Sequence, residues 1–90
     1  VRISEVQFTP VQQKDGLIGF ASFLYNQEFK ISNVGVHVNL SGEIRLVFPG
    51  NKFGSYIFPI KKDLSAEIIS AVNIKYQDLM KLKTKDVEHD

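Results

Sequence analysis

Hydrophobic and polar residues alternate along the first two-thirds of the chain. Beyond Lys61 the hydrophobic positions recur every three or four residues instead. Alternation lines one face of a strand, and the longer spacing lines one face of a helix. The first stretch, broken by Gly, Asn, Asp and Pro, reads as antiparallel strands and turns. A first strand is expected over residues 2–9, with Pro10 at an edge or exit because proline supplies no ladder N–H. Asp15-Gly16 is the strongest hairpin signal and leads into a second strand at 17–25. Asn26-Gln27 connects tightly to a third strand at 28–40, and Ser41-Gly42 turns the chain into a fourth at 43–48. A loop at 49–55 precedes a short last strand, Tyr56, Ile57 and Phe58, ended by Pro59.

Two irregularities carry information. Phe29 and Ile31 lie on one phase of the third strand, and Val34, Val36 and Val38 on the other. An inserted residue changes the phase of a period-two pattern, so a β-bulge is expected at Ser32-Asn33. The second strand is apolar on both faces: Gly19, Ala21, Phe23 and Tyr25 share one, Ile18, Phe20 and Leu24 the other. One helix layer covers only one face, so a second covering surface is implied. A homodimer is the expectation, with Ile18, Phe20, Phe23, Tyr25 and Phe29 as interface candidates sampled from both faces.

The helix is expected to begin near Asp63, whose carboxylate suits the free N–H groups and positive pole of a first turn. Leu64, Ile68, Ala71, Val72, Tyr76 and Leu79 form its buried stripe, and Glu67, Ser70, Asn73 and Gln77 face water. The fold class is therefore α+β: an antiparallel sheet of four to five strands followed by one packed C-terminal helix. Residues 1–83 make a single domain, and 84–90 a frayed tail.

Composition narrows the function classes. Ninety residues allow one domain, and 43% hydrophobic with 11% aromatic residues argues against global disorder. Eleven basic against ten acidic residues give +1, so no global field drives association with polyanions. The absence of cysteine excludes disulfides and cysteine-ligated metal sites, and fits a cytoplasmic setting. No run of 18 apolar residues spans a membrane.

Enzymatic signals are nearly absent. His37 lies between two strand valines and His89 near the end, a pair without metal-site or relay spacing. The acids read as surface, turn or cap residues, so no catalysis, cofactor or metal is expected. His37 reads as a sheet-surface histidine, with a ligand-touching role as the alternative. Gly50-Asn51-Lys52-Phe53-Gly54 reads as a connecting loop, with anion binding as the alternative. The cations Lys52, Lys61, Lys62, Arg45 and Lys75 are candidates for contact with a nucleic-acid backbone, against the plainer reading of a solvated surface. Lysine dominance favours backbone contact over base reading, since bidentate recognition needs arginine and only two are present among the eleven cations. Tyr25, Tyr56 or Phe53 could stack on bases, although their apolar surroundings favour packing.

The order of these pieces resembles the stage V sporulation protein G family of small bacterial septation regulators. The family's opening Ile-Thr-Asp-Val is echoed by Ile3-Ser4-Glu5-Val6, and its Phe-Val-Ile-His-Asp segment by Phe29-Lys30-Ile31-Ser32-Asn33. Its Leu-Phe-Val-Ala-Met-Pro strand corresponds to Ile44-Arg45-Leu46-Val47-Phe48-Pro49, and its His-Pro-Ile to Phe58-Pro59-Ile60. The helix pattern is intact as Ile68, Ala71, Val72 and Tyr76. The family's basic loop is shortened here to residues 49–54, and family arginine positions fall on Gly35 and Ser65, as in a divergent relative. The resemblance implies a sheet packed on a helix, a homodimer, and a DNA- or RNA-binding regulator. The alternative is a protein-interaction or structural module that kept the fold without nucleic-acid binding.

Overall fold

The computed structural model describes residues 2–89, with side chains through Lys81. Four strands, β1 (Ile3–Lys14), β2 (Leu17–Tyr25), β3 (Phe29–Val38) and β4 (Ile44–Val47), form one antiparallel sheet in the order β1-β2-β3-β4. A separate two-stranded ribbon follows, β5 (Gly50–Asn51) and β6 (Gly54–Ser55), and then the single helix α1 (Lys62–His89). This is the α+β arrangement expected from the pattern. The expected fraying of 84–90 falls on residues whose side chains lie outside the described set.

Each strand pairs with its neighbour in sequence because the turns between them are short. Asp15 and Gly16 both have positive φ (54° and 87°), as do Asn26 and Gln27 (56° and 59°). Two consecutive left-handed residues make the turn whose twist matches paired strands. The β3–β4 turn is closed by Asn39, whose Oδ1 accepts the Glu43 N–H at 2.9 Å.

The bulge in β3 is present where the phase changes. Ala21 pairs with Val34 and Phe23 with Ile31, so Ser32 and Asn33 together oppose Ser22. Asn33 takes φ 60°, a conformation Asn tolerates better than most side chains. The result keeps Ile31 and Val34 on the same face, toward the helix. A second bulge lies on β1, where Glu5 and Val6 oppose Phe23, with Glu5 at φ 49°. No alternation argument exposed this one. A third irregularity, in β2 between Leu17 and Gly19, turns Ile18 out of its expected phase and into the core.

The core is one cluster between sheet and helix: Ile3, Ile18, Ala21, Phe23, Val34, Val36, Ile68 and Val72. The helix lies chiefly over β1 and reaches β4. Phe8 rests on the bare backbone of Gly19, and its ring meets Tyr76 edge-on, centroids 5.5 Å apart. Arg2 ties the two ends of the domain together. Its Nε and Nη2 donate to Glu67 Oε1 at 3.0 and 2.7 Å, and Nη2 stands 3.5 Å from Asp63. The hydrogen bond to Glu67 holds the guanidinium pKa above its usual value.

Two expectations are corrected. Tyr56, Ile57 and Phe58 form no strand and pair with no ladder; the ribbon of β5 and β6 takes up the pairing just before them. Glu67 does not face open water but is half-buried against Arg2. The helix opens at Lys62, so Asp63 stands in its first turn as expected, where its carboxylate meets Arg2 and the helix pole.

Candidate nucleic-acid interface

One sheet face is covered by α1 and the other is open. Strand register assigns the open face in rows. Thr9, Phe20, Gly35 and Val47 lie side by side across the four strands. The next row is Lys14, Leu17, His37 and Arg45, and on the far side lie Ser4, Leu24 and Lys30. Phe20 therefore stands near the centre, 40% exposed, beside Gly35, which is buried under the Leu17 and His37 side chains. Lys14, Lys30 and Arg45, all exposed, lie to either side of that row. Directly cross-strand partners such as His37 and Arg45 are about 5 Å apart.

Two shallow notches open on this face. One, of about 240 Å³, is bordered by Asp15, Gly16, His37, Asn39 and Arg45. The other, of about 160 Å³, lies beside Phe20 and offers the hydroxyls of Thr9, Ser22 and Ser32 and the amide of Asn33. Aromatic, hydroxyl, amide and cationic groups on a flat surface can stack a base, hydrogen-bond its edge and neutralise a phosphate. Of this set the sequence pattern marks only Arg45 for nucleic acid, with Phe20 as a dimer candidate and His37 as a sheet-surface histidine. The alternation of β2 and β3 contained the signal for Phe20 and His37, but their cross-strand neighbours depend on register that a single strand does not show.

The five cations singled out from the sequence are not gathered into one patch. Arg45 is on the open sheet face. Lys52 sits in the turn of the β5–β6 ribbon, its Nζ 5.2 Å from the Phe53 ring centroid. Lys61 and Lys62 are exposed at the start of the helix. Lys75 is thirteen residues farther along α1, roughly 20 Å at the helical rise. The glycine loop is a tight ribbon rather than an anion cradle: the Phe53 N–H is turned onto Asn51 Oδ1 at 2.8 Å and the Tyr56 N–H onto Pro49 O at 2.7 Å.

The dimer candidates also separate. Phe23 is completely buried and Ile18 nearly so, both beneath the helix of their own chain. They belong to the core of their own chain. Phe20 stands on the open face, whereas Tyr25 and Phe29 lie at the other end of β2 and β3 on the helix side.

An apolar cleft of about 240 Å³ lies at that end, walled by Tyr25, Ile31, Phe48, Leu64 and Ile68 and by the segment 57–60. Among the described residues, no three His, Cys, Asp or Glu side chains come together to hold a metal, and no helix is long and apolar enough to cross a membrane.

No family model, curated protein or solved structure matches the chain. The resemblance to the stage V sporulation protein G family rests on the residues that carry it.

Proposed function

We propose that the chain is a small nucleic-acid-binding regulatory protein of the septation-regulator kind, without catalytic activity, that lays a single strand across its open sheet face. The observation that carries this reading is the row of Thr9, Phe20, Gly35 and Val47 with cations on either side. A base stacked on Phe20 faces the hydroxyls beside it, and Lys14, Lys30 and Arg45 are spaced to follow a backbone. Stacking on an aromatic side chain contributes about 1–3 kcal/mol per base. Backbone neutralisation makes affinity fall with salt, with a slope of about 0.7 per phosphate for a single strand.

Fluorescence anisotropy with short single-stranded DNA and RNA over a salt series tests the proposal. Phe20→Ala should weaken binding by about 5- to 150-fold, corresponding to the stacking energy. Replacing Lys14, Lys30 and Arg45 by Ala should lower the salt slope by about 2. If instead Lys52, Lys61 and Lys62→Ala abolishes binding and Phe20→Ala leaves it intact, the contact lies at the helix start and the sheet face is refuted. No binding of either nucleic acid at low salt would favour the interaction-module reading, which the exposed apolar residues between the ribbon and the helix support.

A further inference from the structure

Five of the twelve large apolar residues that the fold leaves exposed, among those described, fall in one stretch. Phe53, Tyr56, Ile57, Phe58 and Ile60 lie between β5 and α1, and Phe29 pairs with Tyr25, a wall of the apolar cleft. All six are between 47% and 86% exposed. At roughly 200 Å² for a large side chain, they present about 800 Å². The largest apolar patch of a typical monomer is about 300–600 Å². A stable interface buries about 800 Å² on each partner. By the same measure, Phe20 and Val47 on the open face offer under about 200 Å², too little to hold two chains together.

We propose that this ledge, and not the open face of the sheet, is the contact surface for a second copy of the chain, the two meeting about a two-fold axis. A single apolar patch matches itself under that symmetry, so one surface serves both partners. The sheet edges are closed to the same role. The β1 edge carries Pro10 and the bulge at Glu5 and Val6, and β4 spans only four residues before Pro49. Both are devices that stop strands from pairing with another molecule. The cleft beneath the ledge gives one inserted side chain a desolvated seat of the kind that anchors an interface.

The charges around the ledge fit an interface held by its apolar centre. Lys52 precedes the stretch, and Lys61 and Lys62 follow it. Two copies bring these lysines of both chains to a shared rim, while Asp63 is engaged with Arg2. Their mutual repulsion is screened by salt, so the dimer tightens as salt rises. Nucleic-acid binding moves the opposite way, and the dimer stands whether or not the chain binds nucleic acid.

Sedimentation velocity over a micromolar concentration series reads the assembly directly. The expected result is a species of twice the 10.2 kDa protomer, more populated at higher salt. Tyr56→Asp with Ile60→Asp should raise the dissociation constant by about 100-fold or more. Both side chains are exposed, so the circular dichroism spectrum should be retained. Val47→Asp, on the open face, should leave the dimer in place. A monomer at every concentration overturns the proposal. So does a dimer that survives the ledge variant but is lost with Val47→Asp, or one that weakens with salt. A monomer that cosediments with vesicles of anionic phospholipid through the same residues would assign the ledge to a lipid surface instead.

Discussion

One added methyl group at Gly19 tests how the core is built. A Cβ there would lie 2.5 Å from Phe8 Cζ and 2.6 Å from the Thr9 carbonyl oxygen. The Phe8 ring can retreat only by leaving its edge-on contact with Tyr76, and the Thr9 oxygen is β1 backbone. Alanine in a strand would otherwise gain about 0.5–1 kcal/mol over glycine. Overpacking costs about 1–3 kcal/mol, and losing the aromatic geometry a further 0.5–1.5 kcal/mol or so. The net expectation for Gly19→Ala is a loss of about 2 kcal/mol, which for a domain of this size lowers Tm by roughly 8–16 °C. Thermal melts followed by circular dichroism measure it. In a Phe8→Leu background the ring clash is gone and the backbone clash remains, so the penalty should fall by about half. A Gly19→Ala protein that melts at or above the parent temperature would refute the packing of Phe8 on bare backbone.

Three further substitutions probe the bulges. Asn33→Val places a β-branched residue at φ 60° and should cost about 1–2 kcal/mol, whereas Asn33→Gly should stay within a few tenths; chemical denaturation compares them. Ser4 Oγ is buried without a hydrogen-bond partner beside the β1 bulge, so Ser4→Ala should be neutral or stabilising by up to about 1 kcal/mol; a clear loss of stability in calorimetry would show that the hydroxyl is paired.

The parts of the fold set by local chemistry were legible in the chain. Asp15-Gly16 and Asn26 announce their turns because Asp, Gly and Asn tolerate left-handed backbone, and the change of phase between Ile31 and Val34 reveals the bulge. Features that depend on a distant partner were not. Glu67 looks like a water-facing residue until Arg2 is brought to it from 65 positions away. Ile57 and Phe58 have the composition of a strand, but no sheet edge takes them. Ile18 falls on the other face from the one its alternation indicates, because β2 is apolar on both phases and the irregularity beside Leu17 therefore leaves no trace in its pattern. The candidate site divides in the same way: each cation was visible, but which of them share a surface is decided by register and by the turn of the ribbon.

The meander also sets a schedule for folding. Strands joined by turns of two to five residues pair within about 1–10 μs, whereas the helix that covers them follows the whole sheet in the chain. Synthesis adds about 5–20 residues per second, so Ile3, Phe23, Val34 and Val36 emerge seconds before Ile68 and Val72 can cover them. During that interval the inner face of the sheet is bare. Pro10 and the bulge at Glu5 matter most then, because they deny a neighbouring nascent chain an edge on which to grow. Removing these two features should show first as a lower soluble yield during expression, before any change in the melting of the finished protein.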